Sequence, residues 1–96
     1  METVRFITPE DQARGLLRYP AVPRGVLFVF PNITSKVLTT IGLSEPIRVV
    51  FLDAANTPIR IGSGLEFAVQ PGNNVGIPPQ TRHVLEASID TPILRP

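Results

Sequence analysis

The sequence predicts an α+β, mainly β fold: a small barrel or roll of six or seven short strands with one N-terminal helix at about residues 9–18. Three observations lead to this prediction. Apolar and β-branched residues occur in short stretches, helical spacing is clear only once, and 11 of the 96 residues are proline. Proline breaks helices and is typical of strand ends and turns. A chain of this length predicts a single domain, residues 1–96.

The predicted helix has the strongest local signals in the chain. It follows a first predicted strand at residues 4–8. Thr8 suits the N-cap, and Pro9 suits the first helical position, where a missing N–H leaves no bond unmade. Pro20 ends the element. The apolar residues recur at i, i+3 and i+4 and form one stripe: Ala13, Leu16 and Leu17.

Charged residues of this helix are predicted to stabilise it and not to form a site. Glu10 and Asp11 suit the positive end of the helix dipole. Both are spaced to pair with Arg14, at roughly 0.2–0.5 kcal/mol per pair. Gly15 within the pattern costs about 1 kcal/mol against alanine, so we expect that it allows close approach to a strand.

The remaining elements are predicted as strands separated by turn residues. The continuous apolar run 25–31 is typical of a strand buried on both faces, and 47–53 is predicted as the second buried core strand. Gly42 suggests a bulge, and Pro58 suggests an edge or a bulge because proline cannot donate to a ladder. The other predicted segments are strands at 35–43, 57–61, 65–70 and 82–88 and a turn at 53–56.

Catalytic and metal sites have little support in the composition. The chain has no cysteine and one histidine, His83, so disulfides, thiolate metal sites and cysteine nucleophiles are excluded. The four serines lack a G-x-S-x-G setting, and no nucleophile–base or metal-ligand set can be assembled. We therefore expect no enzyme activity, no cofactor and no metal.

Charge and hydropathy argue against nucleic acid and membrane partners. The nine basic residues are scattered and the net charge is +1, whereas nucleic-acid binding needs a basic patch. The longest apolar run, 26–30, is far short of the ~20 residues of a membrane span. Because neither a basic nor an apolar leader region follows Met1, we expect no signal peptide.

Two segments are candidates for contact with a partner protein. Residues 67–81 carry no charge, and a loop of that length in a small domain is more often functional than idle. The alternative is a solvated loop whose apolar residues tuck back onto the domain. Residues 88–96 carry apolar side chains and predict either an extended arm or a closing edge strand. The candidate contact residues are Val75, Ile77, Pro78, Ile89, Ile93 and Leu94.

A second interpretation is a small cytoplasmic ligand-binding or regulatory domain. Such a domain needs a concave apolar pocket with a few converging polar groups. The polar residues expected to converge under this interpretation are Thr39, Thr40, Arg48 and His83. If these side chains lie on different faces, this form of the pocket is wrong.

Four short stretches follow one another along the chain: ARGLL (13–17), GVLFVF (25–30), PIRVVFLDA (46–54) and HVLEA (83–87). In this order they resemble the domain-of-unknown-function family one-nine-two of prokaryotes. Its members commonly contain A-R-G-L-M, then G-M-L-F-x-F, then F-W-M-K-N-T-x-x-P-L-D-I-I-F-L-D, then a late V-L-E strand. The resemblance implies a small β-rich fold with one early helix.

The chain departs from that family where the family has its polar-aromatic stretch. Residues 38–43 read LTTIGL, Arg48 replaces the family aspartate, and SIDTPILRP (88–96) replaces the Gly-rich end. Leaderless, shortened versions of the domain resemble proteins encoded among bacteriophage genes. The resemblance therefore implies a retained core without the stretch that is the family's candidate site.

Together these features predict a non-catalytic structural or interaction protein. The concrete form of this prediction is a bacteriophage virion component such as a capsid decoration protein. It would lie in the virion if phage-encoded and otherwise in the cytoplasm. Its expected partner is a second copy of itself or a capsid or shell protein, within a homo-oligomer or a larger assembly.

Overall fold

Seven short strands and one short helix form the part of the chain, residues 1–94, that the computed structural model describes. This confirms the predicted α+β, mainly β class. The helix α1 spans Pro9–Arg14 and continues as a 3-10 turn, Gly15–Arg18. The strands are β1 Glu2–Arg5, β2 Val26–Phe30, β3 Val37–Thr39, β4 Ile47–Leu52, β5 Phe67–Val69, β6 Asn74–Gly76 and β7 His83–Ser88.

Five strands form one mixed sheet in the order β1-β2-β7-β4-β5, and β3 pairs with β6 in a separate two-stranded sheet. The pair β1–β2 is parallel, and the other pairs of the large sheet are antiparallel. β7 is the central strand, although it is the last in sequence. It joins β2 to β4, so residues from distant parts of the chain meet along it.

The helix begins as the sequence predicts. Thr8 Oγ1 accepts a hydrogen bond from the Asp11 backbone N–H at 3.1 Å, and Pro9 is the first helical residue. The expected pairing of Glu10 and Asp11 with Arg14 is wrong within residues 1–94, because Asp11 instead forms an ion pair with Arg18. The α-helix ends at Arg14, and the following 3-10 turn places Arg18 next to Asp11.

Gly15 is the residue that ends the α-helix and brings it close to the sheet. Its φ of 45° lies in the left-handed region. A Cβ built at this position would be 3.3 Å from Phe30 Cε2 in β2. This confirms the predicted close approach, and the positive φ explains why the α-helix is shorter than the predicted 9–18.

Several strands are shorter than predicted. The predicted strand 35–43 is reduced to β3, and Gly42, at φ 96°, lies in the turn after it and not in a bulge. The turn at 53–56 is confirmed, because Asp53 Oδ1 accepts the N–H groups of Ala55 and Thr57, both at 2.9 Å. The predicted strand 57–61 appears only as isolated bridges.

The two faces of the large sheet are covered differently. One face packs under the 3-10 turn and the small sheet and contains the main core, which includes Leu16 and Leu38. The other face has a small apolar cluster built on Val50, Ala87 and Ile93. Ile93 lies in the C-terminal segment, whose described part is 89–94, and this segment packs on the second face through Ile93.

Candidate functional site

A glutamate lies at the centre of the main core. Glu86 is in β7, paired laterally with Phe28 of β2 and Val49 of β4. Directly paired residues of neighbouring strands point to the same face, and both partners are 0 % exposed. Glu86 itself is 7 % exposed. The central strand therefore places a carboxyl group among apolar side chains.

A cavity of about 290 Å³ lies between this face of the sheet, the helical segment and the β3 region, and Glu86 lines it. Leu17 and Val37 line it too, and both are exposed, so the cavity opens to solvent there. Its apolar wall includes Leu16, Phe30, Ile33, Leu38, Leu43, Ile77 and Val84. Its polar lining comprises Gln12, Arg14, Thr34, Ser35, Thr39 and Glu86.

Burial raises the pKa of Glu86 from 4.5 to about 8. Desolvation by the surrounding apolar groups is the cause, and within residues 1–94 no hydrogen bond or ion pair to the carboxyl group offsets it. A charged carboxylate is costly in such a setting, so the neutral acid is favoured. At pH 7 Glu86 is therefore mainly protonated.

The cavity offers a specific chemistry. Its apolar wall can hold an aliphatic body, and the Glu86 carboxyl can donate or accept a hydrogen bond. Arg14, which is exposed, is the other ionisable residue of the lining. In the described part of the chain no three His, Cys, Asp or Glu side chains cluster as metal ligands would.

The four polar residues of the predicted pocket do not converge. Thr39 lines the Glu86 cavity. Thr40 is buried, and its Oγ1 donates to the Gln70 carbonyl at 2.6 Å, so this side chain anchors a loop. Thr39 and Thr40 are adjacent in sequence but thus contribute to two different places.

The other two residues of that prediction lie elsewhere. Arg48 pairs with Ala87 and points to the second face, where it binds Glu66 at 3.0 Å. His83 Nδ1 accepts the Asn32 backbone N–H at 3.2 Å. Both side chains hold the fold together, and neither lines the Glu86 cavity.

The uncharged segment 67–81 is not one continuous loop. It contains β5 and β6, and β6 pairs with β3. Val75 and Ile77 pack against the core, as the alternative interpretation expects, and Ile77 also lines the cavity. Pro78 is half-buried. The segment therefore contributes to the cavity wall.

In its described part, 89–94, the C-terminal segment folds back on the large sheet and does not project as an extended arm. Glu66 Oε1 accepts the backbone N–H groups of Ile93 and Leu94, both at 2.8 Å. Ile93 is 8 % exposed, Ile89 is half-buried and Leu94 is exposed. The last two residues of the predicted arm, 95 and 96, lie outside the described residues.

Sequence reasoning missed Glu86, although its position carried a signal. In the predicted strand 82–88, Glu86 shares a face with Val84, and the opposite face carries Leu85 and Ala87. A central strand that is apolar on both faces cannot place a carboxylate in water. The alternation therefore predicts a buried acid only when the strand is also known to be central.

The fold and the cavity define a small α+β, mainly β domain with an apolar pocket around a buried acid. No protein-family model and no curated protein matches the chain. A crystal structure at 1.22 Å of a protein of unknown function from Novosphingobium aromaticivorans is similar, with a TM-score of 0.66 and 14 % identity. The match covers 90 % of this chain and 61 % of that one. The neighbour shares the fold.

Within 1–94, no helix combines the length and the apolar character that a membrane crossing requires.

Proposed function

We propose that this domain binds a small molecule in the Glu86 cavity. The observation that carries the proposal is that Glu86, a residue 7 % exposed, lines a mainly apolar cavity of about 290 Å³ and that its carboxyl group has no partner in the described chain. Ligand sites are typically apolar cavities with a few polar groups that fix orientation, at about 300–1,000 Å³ for drug-sized ligands. The volume here fits a small ligand.

The energetic cost of Glu86 supports a functional role. An apolar residue at this position would fill the core between Phe28 and Val49 without the desolvation penalty of a carboxyl group. Strongly perturbed ionisable groups in clefts are typical of functional sites. A ligand that forms a hydrogen bond with the carboxyl would recover part of the cost.

The test is a heteronuclear NMR titration with four six-carbon probes: hexanol, hexanamide, hexylamine and hexanoate. We expect at least one probe to shift the backbone signals of cavity residues such as Leu38, Ile77 and Glu86. Thr34→Trp, an exposed position that lines the cavity, should block the shifts. Thr57→Trp, at an exposed position away from the lining, is the matched control. Absence of cavity shifts with all four probes at millimolar concentration would overturn the proposal.

A second candidate is the interaction protein that the sequence predicts, with a capsid decoration protein as its concrete form. Its support is an apolar rim patch, defined as Leu17, Val37 and Ile41, which are 52 %, 52 % and 56 % exposed. Leu17 and Val37 both line the cavity mouth. A Cβ built at Gly42, next to Ile41, would be 2.8 Å from Leu17 Cδ2, so the three lie near one another.

The mass of the protein in solution tests whether it is an interaction protein that assembles. A virion component would assemble with itself or bind a capsid or shell protein through the rim patch. Light scattering should then give a multiple of the 10.5 kDa chain mass, and Val37→Glu should shift it toward the monomer. A monomer at all concentrations that also fails to bind purified phage shells would contradict it.

A further inference from the structure

We propose that the ligand of the Glu86 cavity is a small primary amine, held with its ammonium group on the Glu86 carboxylate and its aliphatic stem along the apolar wall. This inference rests on the proposed binding function. It adds the chemical class of the ligand and the atom that recognises it.

The cavity contains a carboxyl group that can accept hydrogen bonds, and this is the group that would recognise the amine. The carboxyl group lies on the central strand between Phe28 and Val49, and within residues 1–94 no donor offsets its burial. An ionised carboxylate is an acceptor only, whereas an ammonium is a donor only, so the two are complementary. Charge-assisted hydrogen bonds of this kind are shorter and stronger than neutral ones.

Within residues 1–94, no side chain forms an ion pair with Glu86, so a ligand would have to supply the positive charge that balances its carboxylate. The neighbouring strands present apolar side chains, and the segment before β3 presents the hydroxyls of Thr34 and Ser35. The helical segment presents Arg14, the other ionisable group of the lining, which is exposed and forms no ion pair with Glu86 in residues 1–94. An ammonium on the inner end of a ligand would therefore be the nearest counter-ion.

A free small amine fits better than a lysine side chain of a partner protein. The cavity of about 290 Å³ holds more than the four methylenes of lysine. A lysine that entered it would leave part of the apolar wall uncovered. A free amine can fill this volume with a longer or branched stem.

Binding of an ammonium requires the release of a proton. The neutral acid gives its proton to solvent, and the carboxylate that remains pairs with the ammonium: one proton leaves for each amine bound. Because the carboxyl group of the free protein titrates near pH 8, the affinity for an amine should rise about tenfold per pH unit from pH 6 to 7.5. An aliphatic amine stays protonated over this range. A neutral alcohol binds without this proton release.

The experiment compares hexylamine with hexanol by NMR titration at pH 6, 7 and 8. We expect hexylamine to bind at least tenfold more tightly at pH 8 than at pH 6, and hexanol to bind with less than a twofold change. Glu86→Gln should bind hexanol, which shows that its cavity is intact, and should lose the pH dependence for hexylamine. Glu2→Gln, an exposed glutamate of β1, is the matched control and should behave as the unmodified protein.

The outcomes separate this inference from the proposed function. Hexanol binding with a weaker or pH-independent hexylamine overturns the amine class and leaves the binding site standing. Failure of both probes overturns the amine class, and the proposed binding function falls as well if hexanamide and hexanoate also fail to shift the cavity signals. A capped Ala-Lys-Ala peptide that binds the cavity more tightly than hexylamine overturns the assignment to a free amine. The comparison of the two probes on the unmodified protein decides the question even if Glu86→Gln does not fold.

Discussion

Replacement of Glu86 by glutamine should change how the stability of the domain depends on pH. Glutamine keeps the shape of the side chain and removes its titration. In the unmodified protein Glu86 titrates near pH 8 in the folded state and near 4.5 when unfolded. The folded state thus holds one more proton than the unfolded state between these two values.

The difference in bound protons between the folded and unfolded states sets the direction in which pH changes stability. Stability falls with rising pH wherever the folded state binds more protons than the unfolded state. The contribution of the neutral Glu86 is complete below about pH 4.5, where both states are protonated. It is lost as the pH rises toward 8, because deprotonation becomes progressively easier in the unfolded chain.

The change with pH in the contribution of Glu86 to the free energy of unfolding is large for a domain of this size. Each pH unit in the window is worth about 1.4 kcal/mol, and incomplete titration at both ends leaves about 3 kcal/mol between pH 5 and pH 8. Domains of this kind have total stabilities of about 5–15 kcal/mol. The effect of one residue is therefore a measurable share of the whole.

Urea denaturation at pH 5, 6, 7 and 8 measures the effect. The difference in unfolding free energy between Glu86→Gln and the unmodified protein should move by about 3 kcal/mol in favour of the variant from pH 5 to pH 8. Groups that titrate alike in the two proteins cancel when one unfolding free energy is subtracted from the other. Parallel pH profiles for the two proteins would refute the reasoning, because they would mean that Glu86 is not desolvated.

Three further substitutions test the fold. Gly15→Ala should cost about 1–3 kcal/mol by thermal denaturation, because alanine is strained at φ 45° and its Cβ would crowd Phe30. Thr8→Ala should cost about 1 kcal/mol in the same assay, because the α1 N-cap bond is lost. Glu66→Ala removes the acceptor of two backbone N–H groups and should cost about 2–3 kcal/mol. It should also speed hydrogen exchange at Ile93 and in the residue after it.

Two of these predictions have a matched control substitution, and the prediction for Glu66 is checked by hydrogen exchange. Gly76→Ala has no atom within 4 Å of its new Cβ and a φ outside the left-handed region, so it should have little effect. Thr3→Ala, at an exposed position, should be near neutral. Equal losses for a variant and its control would remove the specific explanation. Unchanged exchange at Ile93 in Glu66→Ala would contradict the role of Glu66 in holding the C-terminal segment.

Local signals made the helix predictable. The capping threonine and the proline after it act within a few residues of one another, so the helix start at Thr8 and Pro9 could be interpreted from sequence alone. The close approach at Gly15 was predicted too, but the end of the α-helix there was not, because Pro20 was expected to end it. The helix charges were interpreted partly wrongly. Asp11 pairs with Arg18 because the chain leaves the α-helix at Gly15 and continues as a 3-10 turn, which the sequence pattern did not reveal.

Non-local pairing explains what the sequence could not reveal. Beyond the predicted strand 65–70, the uncharged segment 67–81 was expected to be a loop, but residues 74–76 pair with 37–39. Such a pairing between short, weakly patterned strands depends on the rest of the fold. The position of Glu86 was missed for the same reason, since only the sheet order puts β7 at the centre.

The titration of Glu86 itself tests the central claim most directly. The 13Cδ chemical shift of its carboxyl carbon, followed by NMR from pH 4 to pH 10, reports the protonation state of this one group. We predict a midpoint near pH 8 in the free protein and a clearly lower midpoint when hexylamine is added. A midpoint near the ordinary value for glutamate, unchanged by hexylamine, would contradict both the buried acid and the site built around it.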